Sequence, residues 1–152
     1  MKWFEHAAIE ARKSICLHGK CGAVLVQQGI VIAAGYNRPS GNNSINSKCH
    51  IDFPREDRRK PKSDCTCCDH AEWVAIMAVL NIWKLAGSIM YFTRVDSDGV
   101  IQPSGVPYCT VCSRLALSAG ISYWALWQAS GPRLFGAQEY NDLSYEFHLI
   151  GK

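Results

Sequence analysis

Apolar positions recur near helical spacing at the start of the chain. Trp3, Phe4, Ala7, Ala8 and Ala11 predict a helix over Trp3–Ser14. The pattern then changes period. Gly22–Gln27 and Ile30–Gly35 are β-rich runs split by a Gln-Gln-Gly turn, which is a hairpin signal. Residues Arg38–Asp69 break the pattern, with much Pro, Gly, Asn, Ser and charge; a structureless loop of that length in a small domain needs an anchor or a function. His70–Leu85, "HAEWVAIMAVLNIWKL", is apolar nearly all round and predicts a buried helix. Ser88–Val95 predicts a strand, Asp96–Pro107 a turn-rich loop, and Cys109–Ala119 a helix stopped by Gly120. Ile121–Trp127 predicts another strand and Glu139–Leu149 a last short helix. Strands alternating with helices in the later part imply an α/β fold: a mixed sheet layered with helices and containing some parallel pairing.

Length adds the expectation of one domain over residues 1–152, with 38–69 as a cysteine-bearing insert. Apolar residues are 48% and charged residues 19% of the chain, which excludes a disordered polymer. The net charge of +3 is too mild to require nucleic acid as a partner. Arg55, Arg58, Arg59, Lys60 and Lys62 are nonetheless clustered; they could meet a substrate phosphate or form solvated surface. No apolar run reaches the ~18 residues a membrane span needs. The stretch "MKWFEHAAIEARKS" lacks the apolar core of a signal peptide, so a cytoplasmic location is the expectation. In a reducing compartment the eight cysteines point to metal binding or chemistry rather than structural disulfides, although an even count would also suit an oxidised secreted protein.

Two short segments carry the chemistry. His70-Ala71-Glu72 opens one expected helix, and Pro107-Tyr108-Cys109-Thr110-Val111-Cys112 opens another. Cys109 and Cys112 are three apart, so a helix presents both sulfurs on one side, and a helix N-terminus favours the thiolate that a metal needs. His70 would be a third ligand. One His and two Cys leave a tetrahedral zinc with an open position, the mark of a catalytic site. Glu72, two residues beyond His70, is a poor partner ligand but a candidate proton carrier. Either segment alone says little; a lone Cys-x-x-Cys could be a redox pair or half of a structural site. Their order is the specific signal, H-x-E followed by C-x-x-C.

The chain resembles the zinc-dependent cytidine deaminase superfamily over nearly its full length. The resemblance rests on the opening helix, the hairpin "CGAVLVQQGIVIAAGYN", then "HAEWVAI", "MYFT" and "PYCTVCSRLALSAGI", in that order. It implies a cytidine deaminase-like three-layer fold and hydrolytic removal of an amino group from a nucleotide base. Zinc would acidify water, two thiolates would offset much of the ion's charge, and Glu72 would supply the base. Asn37 matches a family position that hydrogen-bonds substrate; the alternative is a turn residue after a strand. Ala71 and Tyr108 complete the substrate-contact candidates, with Tyr108 either stacking on the base or packing in its loop. Two departures stand out. Tyr108 separates Pro107 from Cys109, and the segment between "MYFT" and "PYCTVC" is extended.

The insert between "GYN" and "HAE" resembles deoxycytidylate (dCMP) deaminases, and implies dCMP as substrate and dUMP as product. "GYNRPSG" also resembles tRNA adenosine deaminases, in which this loop is much shorter. An enzyme acting on tRNA or single-stranded nucleic acid is therefore one alternative, and a zinc-stabilised binding module with the same fold is another. The dCMP-deaminase resemblance further implies a homo-oligomer, a nucleotide triphosphate effector, and a second zinc that uses Cys16 and Cys49. Independently, Cys49, His50, Cys65, Cys67 and Cys68 concentrate soft ligands in a polar loop that needs an anchor, and Cys16 could join them in a closed structural zinc site. The sequence does not single out four of the six. Cys21, inside a strand, reads as core.

Overall fold

The computed structural model describes residues 1–51, 66–81 and 85–149. Helix α1 (Lys2–Ala11) leads into the hairpin β1 (Lys20–Gln27) and β2 (Ile30–Tyr36). A two-residue β3 (Arg38–Pro39) and two single 3-10 turns, Ser40–Asn42 and Ser44–Asn46, follow. Beyond come β4 (Cys68–Asp69), α2 (Ala71–Met77), β5 (Ile89–Val95), β6 (Ile101–Gln102), α3 (Thr110–Ser118), β7 (Tyr123–Gln128), β8 (Gly131–Gly136) and α4 (Ala137–Leu149).

The main sheet runs β2-β1-β5-β7-β8, with β6 paired to β5. Neighbours are antiparallel except β5 and β7, which are parallel. Helix α3 lies in the crossover between these two strands, as a parallel pair demands. The sheet is mixed and flanked by helices, as the sequence implies. β1 is buried on both faces, and its side chains divide by parity. Val24 and Val26 meet Ala7 of α1, whereas Ala23 and Leu25 join the larger core of α2, α3 and α4. Met90, Phe92, Trp124, Leu126 and Phe135 extend that larger core, and Tyr140 of α4 stacks on Trp124 at 4.1 Å. Ser113 of α3 bonds Ser144 and Asn141 of α4 through its hydroxyl, which satisfies polar groups at a buried helix contact.

Several boundaries differ from the sequence pattern. α1 stops at Ala11, and Arg12 reaches away to donate to the Gly99 carbonyl. α2 ends at Met77 rather than Leu85, because its far end leaves the core: Met77 and Leu80 are exposed, and Val79 N–H closes a tighter turn on the Ile76 carbonyl. An all-round apolar run contains no polar face to mark that exit. β8 lies in a stretch for which the sequence pattern predicts no element, and it contains Gly131, Pro132 and Gly136. It is an edge strand, where a missing N–H can be tolerated. β6 and the β3–β4 ribbon also fall in stretches that read as loops. No helix among the described residues is long and apolar enough to cross a membrane.

Two glycines let helices sit on the sheet. A Cβ on Gly22 would collide with the Ala7 carbonyl of α1, and one on Gly35 would lie 2.5 Å from both the Ala71 carbonyl and the Ala75 nitrogen of α2. Gly35 thus sets how closely α2, and the residues at its start, approach β2. Gly35→Ala should push α2 outward and cost about 1–3 kcal/mol, roughly the penalty of overpacking. Gly136→Ala, whose Cβ meets nothing within 4 Å, should be close to neutral. Thermal or urea unfolding of both variants checks this; equal stabilities would show that α2 yields freely.

Candidate metal centre

The starts of α2 and α3 converge on one point. His70 is the N-cap of α2 and Cys109 the N-cap of α3, both with extended backbone that turns the side chain back over the helix start. His70 Nδ1 lies 3.1 Å from Cys112 Sγ and 3.5 Å from Cys109 Sγ. Cys109 Sγ accepts from the Cys112 N–H at 3.4 Å, a backbone donor left without an intrahelical partner at that position. The three ligand atoms lie within 4.8 Å of one another. A tetrahedral zinc with Zn–N near 2.0 Å and Zn–S near 2.3 Å has N···S edges of roughly 3.5 Å, so the set fits the ion the sequence implies. The other ring nitrogen of His70 faces the Thr66 hydroxyl at 3.4 Å, which leaves Nδ1 for the centre.

Proton affinities record how tightly these groups are pressed together. Cys109 falls to about 4, because the Cys112 thiol donates to its thiolate and His70 adds its charge against the opposing effect of burial. Cys112 moves the other way, as the proton donor of the pair in a buried place. Burial pulls His70 down, but Cys109 and the charge of Glu72 outweigh it and lift it to about 9. Without a metal, the site is a thiolate–imidazolium pair with one extra thiol proton. A divalent cation would take the place of those protons.

Glu72 is 6% exposed and belongs to neither helix surface nor ligand set. The nearby Cys112 thiol favours its charged form. Burial lifts its pKa to about 7; His70 opposes that rise and the Cys109 thiolate adds to it. Such a group can exchange a proton near neutrality, within the electrostatic reach of all three ligand residues.

The remaining candidates occupy varied places. Asn37 is 9% exposed, and each end of its amide makes one backbone bond: Oδ1 accepts from Cys21 N–H at 2.8 Å and Nδ2 donates to the Gly19 carbonyl at 2.9 Å. It braces the start of β1 against the end of β2. Ala71 is fully buried, with its carbonyl against Gly35, so what it can offer a ligand is backbone. Tyr108 is partly buried and held from α4, where His148 Nε2 meets its carbonyl at 2.8 Å and the Phe147 ring lies 6.0 Å from its own. Burial, with Glu72 next, raises its hydroxyl pKa, which places the ring beside the same centre. Cys21 is also within reach of this field: burial first, then Glu72, push its thiol to about 12. Sequence reasoning passed over His148 and Phe147, because nothing in a helical tail says that it folds back onto a loop 40 residues earlier.

A second group of sulfurs lies on the segment just before His70 and on two earlier stretches of the chain. The Cys16, Cys49 and Cys68 sulfurs are within 4.8 Å of one another, and Cys67 stands beside two of them. His50 is not in this group. Cys65 and the cluster Arg55, Arg58, Arg59, Lys60 and Lys62 lie outside the described residues.

Comparison with known proteins follows the same lines. No curated protein matches the chain. Among solved structures, a dCMP deaminase from the cyanophage S-TIM5 aligns at TM-score 0.51 and 20% identity, covering 81% of this chain and 77% of that one. The same phage protein in complex with dCMP and dUMP also aligns at TM-score 0.51, with 21% identity over 81% of this chain and 76% of that one. A cytidine deaminase from Burkholderia pseudomallei aligns at 0.59 with 17% identity, over 91% of this chain and 93% of that one. At such identities these likenesses establish the fold. The family model described as the cytidine and deoxycytidylate deaminase zinc-binding region matches residues 1–127, a span that contains both helix starts and all three ligand atoms, and the chain belongs to that zinc-binding deaminase family.

Proposed function

We propose that the protein is a hydrolase that deaminates a cytosine nucleotide, with dCMP as substrate and dUMP and ammonia as products. The observation that carries this reading is the buried Glu72 beside the His70–Cys109–Cys112 set. A purely structural zinc site has no use for an unligated carboxyl at its open side. The cysteine-bearing insert 38–69 and the phage protein's complex with dCMP and dUMP support the choice of a nucleotide monophosphate.

In this reading His70, Cys109 and Cys112 hold zinc, which when bound acidifies water and supplies the nucleophile for the amino-bearing ring carbon. The protein's own work is proton traffic and placement. Glu72 accepts a proton from the attacking water and delivers it to the ring nitrogen; it then takes the second proton from the newly added hydroxyl, which becomes the carbonyl, and gives it to the amino group as the C–N bond breaks and ammonia leaves. A pKa near 7 suits a group that must both accept and give. Tyr108, held by α4, forms one wall for the base, and the first-turn backbone of α2 at Ala71 offers an N–H to a base oxygen. Asn37 keeps the β1–β2 edge in place beneath the sugar.

A panel of dCMP, CMP, dCTP, deoxycytidine and a tRNA anticodon stem, with ammonia release as readout, decides the substrate. Turnover of dCMP above the others is expected, and release from tRNA alone would overturn this choice. Glu72→Gln should lose on the order of 10^2–10^4 of kcat while keeping its zinc. Unchanged turnover would remove Glu72 from the mechanism.

The same substitution should have an opposite effect on stability. Because the folded pKa of Glu72 lies above its unfolded value of 4.5, its carboxylate destabilises the fold. The penalty is absent below pH 4.5, grows through the interval and is complete above about 7. Metal-free Glu72→Gln should therefore be more stable than the metal-free parent at pH 8, by up to about 3 kcal/mol, and equal to it at pH 4. Urea unfolding at the two pH values measures the difference.

A further inference from the structure

Arg94 breaks the pattern of its own strand. Met90 and Phe92 of β5 point into the larger core beneath α2 and α3, and strand alternation puts Arg94 on that same face. Its neighbours Thr93 and Val95 are buried, whereas Arg94 is exposed. Cys21 of β1 stands directly opposite it. Burial dominates the proton affinities of the Cys21 thiol and the Tyr108 hydroxyl, but Glu72 raises both and Arg94 lowers both. The guanidinium and the Glu72 carboxyl therefore act on the same two side chains, one from the solvent side and one from the interior.

Arg94 has no counter-ion among the described residues. Arg12 and Arg114 hold backbone carbonyls, Arg133 meets Glu139, and Arg38 lies over the Tyr36 ring; Arg94 has no such partner. The nearest acid along the chain, Asp96, is committed to its own turn, where its carboxylate accepts from the Asp98 and Val100 N–H groups and from the Gln102 amide. Gly19 keeps the space beside the arginine head open, since a Cβ there would lie 3.1 Å from Nη2. That piece of backbone is itself braced, its carbonyl accepting from Asn37 Nδ2 at 2.9 Å. A planar cation thus rests on a fixed stretch of main chain, with its fork of N–H donors unused by the protein. Arg94 is also the first residue of the extended segment between "MYFT" and "PYCTVC", where the chain departs from the family pattern.

We propose that Arg94 receives the 5′-phosphate of the nucleotide and makes the enzyme prefer a monophosphate to the bare nucleoside. The inference rests on the reading that the substrate is a cytosine nucleotide. The base must reach Glu72 and the three ligand residues, which leaves the phosphate at the outer end, on the side where Arg94 is exposed. A guanidinium offers a phosphate two parallel N–H donors and a charge that persists at every working pH. The hydroxyl of a nucleoside can take only a single neutral hydrogen bond in the same place. Arg94 touches no reacting atom, so its effect falls on substrate binding rather than on the chemical step.

Steady-state kinetics of the zinc-loaded full chain with dCMP and with deoxycytidine test it. R94Q should lower the ratio of kcat/KM for dCMP to that for deoxycytidine by about 10- to 100-fold, as loss of a charge-assisted pair predicts. The loss should sit in KM for dCMP. R94K keeps the charge without the fork and should fall between wild type and R94Q. Inorganic phosphate should compete with dCMP in the wild type, and at least about 10-fold more weakly in R94Q. A wild type that prefers dCMP, with an R94Q that keeps the preference or is inhibited equally by phosphate, would overturn the assignment of Arg94 and leave the substrate standing. A loss in R94Q that is equal for both substrates would also overturn it, by showing a structural role. A wild type with no preference for dCMP over deoxycytidine would overturn the assignment and the substrate together.

Discussion

Glu72 sits in the first turn of α2 with almost no contact with water, where ionising a carboxyl costs free energy. The main favourable charge acting on it is that of His70, and the Cys109 thiolate works against it. Everything around it is arranged to keep it there. Gly35 brings the start of α2 against β2, Ala71 and Ala75 fill the contact with the smallest side chains that leave no void, and the larger core of α2, α3 and α4 closes over the other side. The site depends on that close packing. A carboxyl that could swing into solvent would have an ordinary pKa.

The topology explains why residues 39 and 42 apart meet. β5 and β7 are parallel, so the chain must cross over between them, and α3 is the crossover. Its start lies level with the start of α2 because both helices pack on the same face of the sheet. Two N-caps then face each other, one offering a ring nitrogen and the other a sulfur. The partial positive charge at the start of α3 favours the thiolate at Cys109, in the same direction as the hydrogen bond from Cys112.

Much of this was legible in the sequence, and the failures have physical reasons. His70, Glu72, Cys109 and Cys112 could be found because helix starts have recognisable patterns and metal ligands have few alternatives. The hairpin and the parallel pair were also readable from period and composition. The end of α2 was not, since an all-apolar run hides where a helix leaves the core. β8 was hidden by Pro132 and two glycines, which are tolerable only because the strand is at an edge. Asn37 shows a subtler limit. A polar residue after a strand can serve a ligand or its own backbone, and only coordinates reveal that each end of its amide bonds backbone, at Gly19 and Cys21. The four-sulfur group was visible as an excess of soft ligands, but its members could not be chosen, because Cys16 joins from across a strand hairpin and His50 lies next to Cys49 without taking part.

The two sulfur-rich sets share one short segment and differ in a single respect that separates their roles. In one, the Cys16, Cys49 and Cys68 sulfurs lie within 4.8 Å of one another and Cys67 stands beside two of them, with no carboxyl among them. Three ligands leave one position of a tetrahedral ion, and the buried Glu72 is not one of the three. Residues 66–72 carry members of both sets: Cys67 and Cys68 to the first, His70 to the second, with Thr66 against the far side of the imidazole. A segment this short, bound at one end, has few ways to move at the other. Rigidity is what a proton carrier at the edge of a metal site needs, since a displacement of about 1 Å at reacting groups can cost as much as 10^2 in rate. Residues 40–51 bury almost no apolar surface, and what they bring to the half-buried sulfur group is Cys49.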